Sequence, residues 1–268
     1  MSQEKEIPQD IQRSATNVQG SAFDVIEKVK EIKRSFRLQM DGAVAQSMRD
    51  KGVDYRLNWG VTLPRLREQA DELRSKLTTT AVGDAAVGDA AVGDAAAGDV
   101  AAGDAAATSA ADEDKSRLYD LSIALWKENI RECKILAVML MPADRMLPEV
   151  CDIWMEQVPT QEIAEQAAFH LWQHLPYAPQ KAFQWIADGR ELYQLCGFHV
   201  LSRLFMCGQE PNERGINEFL DQAVAALGGP SVAVRKAAFQ SVQRFADLGL
   251  VYQRMAKSAL KGSGIDLF

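Results

Sequence analysis

Between Leu118 and Pro142 the apolar residues fall into two stripes at the helical period. Leu118, Leu121 and Leu125 recur at i, i+3 and i+7. After a break at Glu128 and Asn129, Ile130, Cys133, Ala137 and Leu140 do so again. Arg131, Glu132 and Lys134 fall off the second stripe, and Pro142 stops it. Two short helices with one apolar stripe each cannot bury themselves; they need further pairs stacked beside them.

The rest of the chain supplies those pairs. Residues 1–20 are polar and read as a frayed N-terminus. Ser21 can cap a helix over 22–40, with Phe23, Ile26, Val29 and Ile32 on its apolar side. Its other face is basic (Lys28, Lys30, Lys33, Arg34, Arg37), either a solvated surface or an edge turned to phosphate. Gly42–Asp50 reads as a short helix ended by Lys51-Gly52. Thr62 can cap the next, with Pro64 in its first turn and Leu63, Leu66, Ala70, Leu73 and Leu77 on its buried side. Further helices are predicted over 145–157, 161–174 (capped by Thr160), 180–187, 191–207, 211–227, 230–248 and 251–260. Pro and Gly sit in the short connections, and no strand pattern occurs. The expectation is an all-α chain: residues 21–268 form one curved α-solenoid of HEAT-like antiparallel helix pairs. The run V-R-K-A-A-F at 234–239 is of the kind such repeats use.

One stretch departs from this pattern. Over 78–114 the unit A-V-G-D-A recurs, with Gly83, Gly88, Gly93, Gly98 and Gly103 each followed by Asp. It offers no large side chain to bury, and a Gly-Asp every five residues suits neither helix nor strand, so a flexible acidic loop is predicted. The loop also decides the charge. The formal net charge is −7, but residues 81–114 hold eight acids and no base; the remainder carries +1. The predicted folded part is therefore not the strongly basic body of a typical nucleic-acid binder, although a local basic stripe is compatible with it. Four cysteines without a C-x-x-C spacing fit a reduced, cytoplasmic protein. The longest apolar run, Ile135–Met141, is far short of a membrane span. A monomer is expected.

Candidate chemistry is sparse. His170 and His174 have the spacing of two metal ligands on a helix, but no third ligand is fixed, so neither a metal nor a cofactor is expected. Glu162 and Glu165 could pair for acid–base work, or simply form an acidic face. Trp126, Trp154, Trp172 and Trp185 read first as core. Lys181, Arg190, Arg203, Arg235 and Lys236 lie on successive helices and would grip phosphates if they shared one surface.

The segments MRDKGVDYRLNWGVTLPRLREQADEL (48–73) and LWKENIRECKILAVMLMP (125–142) resemble the AlkD-like DNA alkylation repair family. The likeness lies in a G-V-x-x-P-x-L-R turn entering a helix and in a W-x-x-x-x-R-E helix pair. It implies a solenoid whose concave face holds duplex DNA, and an alkylpurine DNA glycosylase activity that uses aromatics and a carboxylate beside the lesion's sugar. In the matching stretch QEIAEQ (161–166), Gln161 stands where the family has Trp and Glu165 where it has Asp; a second aromatic falls at Tyr193. Two functions follow. One is a double-stranded-DNA-binding repair protein using Glu165 and Tyr193 at an altered site. The other is a non-catalytic scaffold for a protein or peptide partner.

Overall fold

The structure, a computed structural model, describes residues 23–53, 55–83 and 100–261, without the side chains of 78–83 and 100–109. These residues form helices and turns with no strand. The helices are α1 Val25–Leu38, α2 Gly42–Asp50, α3 Leu63–Gly83, α4 Val100–Lys127, α5 Arg131–Leu140 and α6 Pro148–Glu156. They continue with α7 Gln161–His170, α8 Ala178–Ile186, α9 Glu191–Met206, α10 Glu213–Leu227, α11 Val232–Ala246 and α12 Leu250–Leu260.

Consecutive helices cross between two layers, and alternate helices lie side by side. α3, α5, α7, α9 and α11 pack in that order into one layer. The other contains α1, α4, α6, α8, α10 and α12, with α6 joined to α4 by the stacked rings of Trp126 and Trp154 at 4.2 Å. This is an α-solenoid. All four tryptophans weighed above are core: each is at most 3% exposed. At the far end Phe205, Phe219, Phe245 and Tyr252 interlock with ring centroids 5.0–5.5 Å apart.

The caps follow from local chemistry. Thr160 caps α7 and Ser231 caps α11 through their hydroxyls, while Asp24 and Asp41 accept from the first free N–H groups of α1 and α2. α1 begins at Val25 with Asp24 as its cap, not at residue 22 behind Ser21 as expected; Ser21 itself lies outside the described residues. α1's buried stripe is Val29, Ile32 and Phe36, whereas Ile26 is exposed. Its basic face is engaged: Lys28, Lys30, Lys33 and Arg34 pair with Glu31, Glu27, Glu128 and Glu27. α7 stops at His170 rather than His174. Leu171 leaves helical geometry, and Trp172–His174 form a 3-10 turn that buries Trp172 completely.

Two further expectations are corrected. The stretch predicted as an acidic loop is helical at both ends, where α3 runs on to Gly83 and α4 begins at Val100; residues 84–99 lie outside the described set. Alanine's helix preference, added to the packed halves of α3 and α4, outweighs one Gly-Asp step at about 1 kcal/mol. Asp112, Glu113 and Asp114 accordingly belong to α4, paired with Arg145 and Arg117.

The residues off the α5 stripe are no less buried than those on it: every residue of α5 is buried. Arg131 is 1% exposed and Glu132 fully buried. Arg131 donates to both carboxylate oxygens of Glu162 on α7 (2.8 and 2.6 Å) and to the carbonyl of Val61 (2.8 Å). Glu132 accepts from the backbone N–H of Trp59 and Val61. Tyr55 donates to Glu162 at 2.5 Å. The turn before α3 is thus clasped to α5 and α7 by the R-E pair. Lys134 lies 4.0 Å from the Trp126 ring and donates to the Trp126 carbonyl; burial lowers its pKa to about 8.

Candidate nucleic-acid interface

α7 carries the sequence-predicted acid. Capping by Thr160 sets its start, so Gln161 and Glu165, four apart, share one face. Gln161 Nε2 donates to Glu165 Oε1 at 2.7 Å, and the Glu165 side chain is 31% exposed. His199 on α9 places Nε2 3.9 Å from the same oxygen. That is too long for a hydrogen bond, and burial pushes the His199 pKa down to about 4, so the ring is neutral at neutral pH. Glu162 is unavailable for proton transfer. Burial opposes its charge, yet the bidentate Arg131 and the Tyr55 hydroxyl hold its carboxyl below the usual carboxylate range. Tyr193 on α9 is half-buried, with the Arg190 guanidinium 3.5 Å from its ring centroid.

The five predicted basic residues do not gather on one surface. Lys181 is buried on α8, in the other layer, and both Asp152 oxygens accept from it at 2.6 and 2.7 Å. Arg190 is paired with Asp188. Arg235 folds back to donate to the Gly229 and Pro230 carbonyls at the start of its own helix. Lys236 is exposed on α11. Arg203 is the one that meets other cations.

That meeting point is His170. Burial is the first cause of its lowered pKa, and the charges of Arg67, Arg74, His174 and Arg203 lower it further. These groups come from α3, the turn after α7, and the last turn of α9. Arg74 pairs with Asp71 at 2.9 Å and donates to the carbonyl of Met139 near the end of α5. Arg203 Nε donates to Gln173 Oε1 at 3.2 Å, and its guanidinium lies 5.6 Å from the Phe169 ring. The layer's face is therefore polar along its length. Glu162 and Glu165 occupy the N-terminal half of α7, and His174 and Arg203 lie by the turn after its C-terminal end, where positive charge suits the helix dipole. Among the described residues no set of three His, Cys, Asp or Glu side chains is placed to share a metal ion.

Sequence reasoning missed Arg67 and Arg74. The available signal was their seven-residue spacing, each one position after a leucine of the α3 stripe (Leu66, Leu73). It missed Phe169, Gln166 and His199 as well.

No family model matches the chain, and no curated protein matches it. A solved structure described as a new family of proteins related to the HEAT-like repeat DNA glycosylases, with affinity for branched DNA structures, shares its fold. The TM-score is 0.62 at 13% identity, over 88% of this chain and 83% of that one.

Proposed function

We propose that this protein binds DNA on the face of the α3–α5–α7–α9–α11 layer. Phosphates would be held about His170, where the charges of Arg67, His174 and Arg203 act on one half-buried imidazole. The observation that carries this reading is the convergence itself. Cations drawn from separate helices repel one another, and an anion spanning them relieves that cost. DNA supplies such anions at regular spacing. The affinity for branched DNA described for the protein of similar fold supports the same class of ligand, and branched DNA is the first substrate to try.

The test is fluorescence anisotropy with a labelled duplex and a three-way junction at several salt concentrations. Binding should weaken steeply with salt. Arg67→Gln with Arg203→Gln should lower affinity on every sequence and flatten the salt slope by about two. Affinity no greater than that of an acidic control protein at low salt sinks the proposal.

A narrower reading gives Glu165 the carboxylate role at an alkylated purine, with Tyr193 nearby. The open carboxylate supports it; the Gln161 hydrogen bond and the Arg190 guanidinium over Tyr193 weigh against it. Release of alkylated purine from treated duplex, abolished by Glu165→Gln, is the expected result. Release unchanged by that substitution removes Glu165 from the chemistry.

A further inference from the structure

We propose that Phe169 is a stacking platform for a single unpaired nucleotide, with Gln166 and His199 meeting the edge of its base. This rests on the DNA-binding reading above and narrows it, since the site would favour DNA with an unpaired base over a continuous duplex.

Phe169, near the C-terminal end of α7, is partly buried and packs against the core. The His199 ring meets it edge-on at 5.2 Å. Gln173 donates to the carbonyl of Phe169 and accepts from Arg203, so platform and guanidinium are fixed to the same turn. A ring supported this way loses little freedom on binding, which favours stacking.

The second observation is independent of the ring. Among the described residues seven buried side-chain polar atoms lack a hydrogen-bond partner, and three of them belong to α7 or to His199, whose ring meets Phe169: Gln166 Oε1, His170 Nε2 and His199 Nε2. Gln166 is three residues before Phe169 on α7 and His170 is its neighbour. Gln166 and His199 are only 7% and 8% exposed. Each such atom carries a desolvation penalty if it stays unpaired. Other deep polar groups here are provided for, as Arg131 and Lys181 show. The grouping of these exceptions on α7 and the His199 ring points to an absent partner common to all three.

The ligand must offer a flat face for the ring, donors and acceptors on its edge for the amide and imidazoles, and negative charge for Arg203 and the cations about His170. A nucleotide has all three. Within a duplex the faces are stacked and the edges paired, so only an unpaired nucleotide presents them together. Stacking is tolerant of base identity, so no strong sequence preference is expected.

The experiment compares a duplex with the same duplex carrying a one-nucleotide 2-aminopurine bulge, by anisotropy and by 2-aminopurine fluorescence. The wild type should prefer the bulge by about tenfold and quench its fluorescence. Phe169→Leu should abolish the preference and the quenching while leaving duplex affinity within about twofold, because phosphate contacts are retained. Gln166→Leu should lower bulge affinity yet raise the melting temperature, since it removes an unpaired buried amide; a residue with a purely structural role would not separate the two. Failure of the wild type to bind either probe at low salt overturns the DNA reading and this inference with it. Duplex binding without preference for the bulge, or a preference that survives both substitutions in folded variants, overturns the stacking site alone.

Discussion

Arg131→Met is the most informative single change to the fold. It keeps the length of the side chain and removes its charge. Arg131 makes two hydrogen bonds to Glu162, one to the Val61 carbonyl and a longer one to Glu132 at 3.3 Å. The substitution leaves the fully buried Glu132 with only the backbone N–H groups of Trp59 and Val61, and Glu162, 19% exposed, with only the Tyr55 hydroxyl among these partners. Removing one partner of a buried pair costs about 3–5 kcal/mol, mostly the penalty of the orphaned charge. Glu162→Met alone should cost somewhat less, since Arg131 keeps Val61 and Glu132. The double variant should then lie about 1–3 kcal/mol above the sum of the singles, because each single strands what the other removes. Urea denaturation followed by circular dichroism reads all three, as midpoint shifts at constant slope. A loss under about 1 kcal/mol for Arg131→Met, or strict additivity in the cycle, would refute the clasp as described.

Two other outcomes follow from particular contacts. Gly197→Ala should destabilise the protein by about 1–3 kcal/mol in thermal melts despite alanine's better helix propensity; the added Cβ would sit 2.6 Å from Ile186 Cγ2 and 2.8 Å from the Ala182 carbonyl oxygen, and that oxygen cannot swing away. Acidification below pH 6.5 should weaken the fold. His199 has a folded pKa of about 4 against the ordinary 6.5, so below pH 6.5 the unfolded chain binds the extra proton and stability falls, by up to about 3 kcal/mol once pH reaches 4. His170, also lowered, acts in the same sense, and Glu165 is the acid facing His199. His199→Gln should flatten the stability–pH curve between pH 6.5 and 5; an unchanged slope removes His199 as its source.

The period of the apolar residues was enough to place α4 and α5 and the break between them, and the hydroxyl of Thr160 was enough to start α7. Period alone could not see that α5 is buried on all sides. The groups that cover its polar residues come from the turn at 55–61, about seventy positions earlier, and a charged residue's partner leaves no trace in its own neighbourhood. The repeat at 78–114 misled for a related reason. Its glycines argue for a loop, while its alanines extend any helix already anchored by packing. The cations were legible as residue types only. Which of them converge depends on alternate helices lying side by side, and chain order hides that. Lys181 and Arg190 look equivalent to Arg203 in sequence, yet Asp152 and Asp188 engage the first two. His170 was noticed for its spacing to His174; its neighbours Arg67 and Arg74 emerge only once α3 is laid beside α5 and α7.

The joint between α3 and α4 has a consequence for how this chain can change over time. Both helices touch each other and α5, and the tyrosine–carboxylate–guanidinium fastening pins the preceding turn to α7. The geometry there is set by surfaces already in contact, so the placing of α3 against α4 does not depend on how many five-residue units the sequence carries between residues 83 and 100. Replication slippage in that tract would alter the protein's mass and acidity while leaving its scaffold in register.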